Sequence, residues 1–318
     1  MPVNIRKLIS RSPTAWVRAW LRVLGPPFIA LTAVVSLLAG AIAFQRTGGI
    51  DIGLWVLSAF GLIFIHFGTS CLNYYFDYLS GTDNINLSPT ILSGGSRVIQ
   101  EGRLSPKALL IAGSLFITLG SIIGLYLTFL KGLMVLVLGA AGVFLAVGYV
   151  HPKVNLSKRG LGELAVGLSF GPIMLSGVYY TQTKTIDFKI ILIGLIMGLL
   201  ASSVLWINQI PDYEADKITG KTNWVVRMGK KKASYVYVIL ISCVYILSLL
   251  LLLKGILPKF CWVLFLTLFI AIKTAIIALK NYDKVESLLP ANALTIALTI
   301  AFGVLLSIVF LTERLFAQ

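Results

Sequence analysis

The sequence predicts an all-α membrane protein whose nine transmembrane helices form a single bundle. Three observations predict it. The 318 residues are 58% hydrophobic and only 12% charged, with a mean hydropathy of +0.92, whereas a soluble globular chain carries about 25% charged residues. Nine apolar stretches are each long enough to cross a bilayer, which needs about 20 residues as a helix. The charges gather in alternate connections between those stretches, as they do in multi-pass proteins.

The elements follow in order. Residues 1–25, "MPVNIRKLISRSPTAWVRAWLRVLG", are basic and lack the short apolar core and small-residue site of a cleavable signal peptide. Trp16, Trp20, Arg18 and Arg22 after Pro13 predict a short helix lying in the interface with its cations snorkelling outward. Residues 26–318 then form one transmembrane domain, with spans expected at 26–44, 52–76, 107–129, 131–150, 161–181, 189–210, 233–253, 258–279 and 291–312. The third and fourth nearly touch, and Lys131-Gly132 is read as the break between them.

With nine spans, the N-terminus and the connections after even-numbered spans share one side. Nineteen of the 27 Lys and Arg residues fall there and seven opposite, with Lys273 inside a span. The positive-inside rule makes the first side cytoplasmic. The +15 net charge is largely this excess, so it implies no nucleic-acid partner. Acids are just as lopsided. Asp77, Asp83, Glu101, Glu163, Asp212, Glu214, Asp216, Asp283 and Glu286 share the basic side, and only Asp51, Asp187 and Glu313 are opposite. The orientation rule makes no demand on acids, so their crowding needs another cause.

Two stretches supply it. In "HFGTSCLNYYFDYLSGTDN", His66, Ser70, Asn73 and Asp77 lie on one helical face. In "NQIPDYEADKITGKTNWVVRMG", Asn208, Asp212 and Asp216 follow at i, i+4 and i+8. Asn73-x-x-x-Asp77-Tyr78 and Asn208-x-x-x-Asp212-Tyr213 each end an even span, and each is followed by a further Asp, Asp83 or Asp216. This is a weak internal repeat about 135 residues apart, of the kind that builds a site at a pseudo-symmetric interface. Facing each other, the two would gather four carboxylates and two amides, which require cations. Those are either neighbouring Lys217, Lys221 and Arg97 as solvated loop pairs, or a hard divalent ion. Carboxylates and amides without a Cys or His cluster are oxygen ligands suited to Mg²⁺, which also recruits substrate phosphates. A secondary transporter is the alternative class, but its ionisable site lies near the midplane, and these acids sit at one surface.

These residues resemble the UbiA superfamily of intramembrane aromatic prenyltransferases, over nearly the whole chain. "NQIPDYEADKITGKTNWVVRMG" is similar to the family's second Asp-rich motif, with an Asp-x-x-x-Asp core, then Gly-Lys-Thr and an Arg-x-Gly ending. "NYYFDYLSGTDN" resembles the first. Tyr74 stands there where many members have Asp, and the last Asp comes six residues after Asp77 instead of four. "GGSRVIQEGRLSP" and "RGLGELAVGLSFGPIMLSGVYYTQT" look most like the 1,4-dihydroxy-2-naphthoate polyprenyltransferases of menaquinone synthesis.

The resemblance implies a cytoplasmic active-site cap over a central cavity open to lipid. It also implies transfer of a prenyl group from a polyprenyl diphosphate to an aromatic acceptor with Mg²⁺, in the plasma membrane of a prokaryote. Other acceptors within the superfamily are 4-hydroxybenzoate, homogentisate, a haem precursor or a glyceryl phosphate lipid. Asn73, Asp77, Asp83, Asn208, Asp212 and Asp216 are the candidate metal ligands, with Asp77, Asp212 and Asp216 central to catalysis. Arg97, Lys153, Lys221 and Arg22 are the candidate diphosphate ligands, Arg97 following the Gly94-Gly95 neck. Tyr149 aligns with a tyrosine near the allylic carbon, though Val150 replaces the serine that accompanies it. Arg159 and His66 are weaker candidates for the acceptor; anionic lipid and helix packing are their alternatives. Cys71, Cys243 and Cys261 have no paired spacing and are read as packing. Spans seven to nine carry few polar residues and are expected to wall the groove for the prenyl tail.

Overall fold

The structure, a computed structural model, describes residues 13–81 and 97–316; Asp83 and the Gly94-Gly95 neck lie outside them. Among the described residues every regular element is helical. Nine helices among these residues are long and apolar enough to cross a membrane: Pro26–Thr47, Ile52–Ser80, Pro106–Lys131, Leu133–Val150, Gly162–Thr183, Phe188–Gln209, Lys230–Leu253, Lys259–Asn281 and Val285–Leu315. They are called spans one to nine below, and the chain is an integral multi-pass membrane protein. An amphipathic helix, Pro13–Leu24, precedes them with Trp16, Val17 and Leu21 exposed.

Local chemistry sets the boundaries. Spans three and four part at Gly132, whose φ of 111° lies in the region that side chains avoid. Asp51 and Asp187, two of the three acids on the less charged side, are helix caps. Asp51 Oδ1 accepts from Leu54 N at 3.0 Å and Asp187 Oδ1 from Ile190 N at 3.1 Å. Span nine begins before the expected position 291, because Pro290 is tolerated near its start. The proline removes a bond only to the carbonyl of Glu286, at the wet end of the helix.

Lipid is as apolar as a protein interior, so spans associate through close packing and polar contacts rather than through the hydrophobic effect. Glycines provide the packing. A Cβ at Gly68 would stand 2.9 Å from Gly113 O, and one at Gly120 would stand 2.8 Å from Gly61 O, so spans two and three meet backbone to backbone. Gly167 and Gly171 of span five face Gly194 and Gly198 of span six in the same way. Span five also carries a π-helical turn, Ser169–Ile173, around Gly171 and Pro172, an identifiable cause of a kink. Polar contacts join the later spans: Tyr237 Oη to Thr295 Oγ1 at 2.6 Å, Tyr245 Oη to Thr267 Oγ1 at 2.7 Å, and Trp206 Nε1 donating to Ala233 O at 2.9 Å. Such contacts contribute roughly 0.6–2 kcal/mol each.

Span six is the most enclosed, with 72% of its apolar window buried, against 17% for each of spans two, three and four. It forms the core with spans one and nine, around Leu38, Ile196, Leu200 and Phe302. Spans two to five therefore stand at the side of this core, and the space between them remains open.

Candidate active site

That space is a cavity of about 1310 Å³ lined by the N-terminal helix and spans one to six. Among the described residues, none beyond Asn223 lines it. Spans seven to nine each give one face to the core and none of their residues lines the cavity, so the expectation that they wall its groove is incorrect. Apolar stripes facing a neighbouring span, a groove or lipid look alike in sequence, and composition alone does not separate them.

Most of the wall is apolar, including Leu62, Ile65, Ile123, Val143 and Phe170. One end is polar. Span two runs on to Ser80, so Asn73 and Asp77 project from a helix, not a loop. Span six ends at Gln209, and Ile210, Pro211 and Asp212 form a turn before the short helix Tyr213–Ile218 carries Asp216. Asn208, Asp212 and Asp216 are thus not one continuous helical stripe as their spacing predicted. Pro211 has no N–H and interrupts it. The Asp216 N–H donating to Asp212 O at 2.9 Å restarts the helix. The break leaves all three lining the cavity with Asn73, Tyr74 and Asp77.

Lys221 joins the two halves. Its Nζ stands 3.2 Å from Asp216 Oδ1 and 3.5 Å from Asp77 Oδ1, so one ammonium spans the gap between the two acidic motifs. Asp216 is 4% exposed, and burial pushes its carboxyl above the usual range despite the neighbouring Lys221. Burial opposes the charge on Lys221 as well, but Asp77, Asp216 and Asp212 outweigh it and raise the ammonium's affinity for its proton. Asn223, unnoticed in the sequence, orders this corner. Its Nδ2 donates to Asp216 Oδ2 at 2.8 Å, while its Oδ1 accepts from Val226 N at 2.9 Å and caps the next helix. Asn208 is held likewise, its Oδ1 accepting from Asn292 Nδ2 at 2.7 Å.

The other candidates divide. Tyr149 lines the cavity at the end of span four, and Arg97 at its rim adopts a φ of 54°. Arg22 lines the rim too, but its guanidinium makes a two-pronged bond to Glu101 at 2.8 and 2.9 Å. That bond holds the Glu101 carboxyl below its usual range, and Arg103 assists. His66 lines the middle of the cavity, where Nδ1 lies 2.7 Å from Thr32 Oγ1 and the ring meets Phe170 edge-on at 5.5 Å, a packed and hydrogen-bonded setting.

Lys153 and Arg159 are absent from the lining. Arg159 donates to Lys153 O at 3.2 Å, and Arg227 donates to Arg159 O at 2.8 Å. With Thr222 bonded to Lys158 O, these contacts knit the connection after span four to the one after span six. The Arg159 guanidinium thus braces the connections over the polar end, and Lys153 takes part through its backbone carbonyl.

The donor set suits a hard divalent ion. Asn73, Asp77, Asn208, Asp212 and Asp216 bring carboxylate and amide groups to the lining beside the Lys221 ammonium, and their oxygens are hard donors. Among the described residues no group of three or more acidic, histidine or cysteine side chains closes around one point. Mg²⁺ takes one or two protein carboxylates and completes its shell with phosphate and water.

Residues 33–298 match the UbiA prenyltransferase family. The chain belongs to that family. A 1,4-dihydroxy-2-naphthoate octaprenyltransferase of Haemophilus influenzae is 34% identical over 176 residues, 54% of this chain and 56% of that protein. The chain thus spans little more than half of that relative. The Bacillus subtilis protein of the same name is 23% identical over 287 residues, 89% of each chain. The fold matches a solved UbiA homolog from Archaeoglobus fulgidus bound to DMAPP and Mg²⁺, at a TM-score of 0.63 and 17% identity, over 91% of this chain and 99% of that one.

Proposed function

We propose that the protein transfers a prenyl group from a prenyl diphosphate to 1,4-dihydroxy-2-naphthoate, with Mg²⁺, at the cytoplasmic face of a prokaryotic plasma membrane. The observation that carries this reading is the meeting of Asp77 and Asp216 on Lys221 at the polar end of an otherwise apolar cavity. Support for the acceptor comes from the relatives named for naphthoate, and for the face from the excess of Lys and Arg on the acidic side.

The diphosphate sits among Asp77, Asp212, Asp216 and Lys221, and the prenyl tail follows the apolar wall. Asp77, Asp212 and Asp216 would hold Mg²⁺, which when bound would supply positive charge to the departing diphosphate. The Lys221 ammonium, already at this end, turns from carboxylate to phosphate oxygens, and Arg97 covers the head group from the rim. The C–O bond breaks with its electrons going to the diphosphate, leaving an allylic cation. A ring carbon of the acceptor donates an electron pair to form the C–C bond, and the ring recovers aromaticity by losing its carboxylate as CO₂. Tyr149 stands beside the reacting carbon, and the apolar wall excludes the water that would capture the cation.

The test is direct. Membranes containing the protein receive labelled geranylgeranyl diphosphate, Mg²⁺ and each acceptor in turn. Label entering a prenylated naphthoquinol, abolished by EDTA, is the expected result. Transfer only to 4-hydroxybenzoate or another acceptor would replace the naphthoate. No transfer to any acceptor, with EDTA making no difference, would overturn the reading in favour of a transporter.

A further inference from the structure

We propose that Asn292, in span nine, is a positioning residue that turns Asn208 into a hydrogen-bond donor for the diphosphate and away from the metal. The inference rests on the function proposed above. Asn292 lies 0% exposed in an otherwise apolar stretch, and span nine contributes nothing to the cavity wall. Its Nδ2 makes two contacts, to Ile207 O at 3.3 Å and to Asn208 Oδ1 at 2.7 Å.

The orientation of both amides follows from what each atom is able to do. A backbone carbonyl only accepts, so the Asn292 atom facing Ile207 O is the Nδ2 donor. That same nitrogen faces Asn208, so the Asn208 atom meeting it is the acceptor, Oδ1. Turning both amides over would keep the bond between them but set two oxygens 3.3 Å apart at Ile207. It would also gain nothing, because Asn292 Oδ1 is buried without a partner, and Nδ2 would take that orphaned place. Ile207 thereby dictates, through Asn292, which end of Asn208 is committed to the core.

Asn208 lines the cavity. With Oδ1 directed at a span outside the lining, the polar atom left for the cavity is Nδ2. A nitrogen donor does not ligate Mg²⁺, which takes oxygen, but it pairs well with an anionic phosphate oxygen. Asn208 therefore repeats the place of Asn73 in the sequence without repeating the metal role expected of it. The second motif offers Asp212 and Asp216 to the ion and the Asn208 amide to the substrate.

The test uses the full-length protein purified in detergent and geranyl thiolodiphosphate, which binds without turnover, titrated calorimetrically over a range of Mg²⁺. Asn208→Asp replaces the donor with a carboxylate and Asn292→Ala frees the amide to rotate. Each should weaken the analogue roughly tenfold to a hundredfold, and neither should lower the Mg²⁺ concentration needed for half-maximal binding. If Asn208 were a ligand, Asn208→Asp would bind the analogue as well as wild type or at lower Mg²⁺, and the inference fails. Should Asn292→Ala not fold, Asn208→Asp alone decides. Wild-type protein that does not bind the analogue would overturn the proposed function itself, and this inference with it.

Discussion

Replacing Lys221 with Met tests the electrostatics of the polar end, because one ammonium there balances two carboxylates. At 3.2 and 3.5 Å, each attraction is worth about 5 kcal/mol at an effective dielectric constant of 20, before desolvation is subtracted. Breaking a buried pair by removing one partner typically costs a net 3–5 kcal/mol. The cost here falls at the lower end, because Asp216 has an escape: its carboxyl is already raised by burial, and it takes a proton when the lysine is gone. The sign follows. A carboxyl raised in the folded state holds more protons than in the unfolded chain, so stability falls as pH rises through the folded value. Lys221→Met should raise that value further. Thermal unfolding in detergent should show the variant roughly 5 °C or more below wild type at pH 8, with a smaller deficit at pH 5.5. Mg²⁺ should also stabilise the variant more than wild type, since the ion no longer competes with an ammonium. An equal deficit at both pH values, with no response to Mg²⁺, would refute the argument.

Other perturbations separate packing from chemistry. In Gly171→Ala the new Cβ would meet Gly194 O at 2.5 Å, and the thermal midpoint should fall by an amount corresponding to about 1–3 kcal/mol. Arg97→Ala should raise the KM for prenyl diphosphate roughly tenfold or more while leaving the KM for the acceptor unchanged; steady-state kinetics with each substrate varied decides. Lys153→Ala and Arg159→Ala should leave the KM for the diphosphate within about twofold, because both side chains are outside the cavity. A larger change in either would return them to the site.

The bundle was legible because length and apolarity are enough to mark a span, and Gly132 marked the break that length alone would have hidden. The acidic motifs were legible because Asn-x-x-x-Asp occurs twice at matching span ends. What the sequence hid was direction. Lys153, Arg159 and Lys221 are all cations in connections on one side, yet only Lys221 turns inward, a consequence of how the chain reverses between Asp216 and Asn223. Asn292 was passed over because a lone amide in an apolar run reads as packing. Only the structure brings it against Asn208, 84 residues away. The helical face predicted for Asn208, Asp212 and Asp216 was broken by Pro211, yet the turn it forms keeps all three on one cavity.

In the proposed reaction, acids from two distant segments act on one bound diphosphate. A double-mutant cycle on Asp77→Asn and Asp212→Asn, read as calorimetric binding of geranyl thiolodiphosphate with Mg²⁺, tests it most directly. Strong coupling is expected, with either substitution alone removing most of the binding and the pair adding little. Two losses that simply add, or near-normal binding by both single variants, would contradict it.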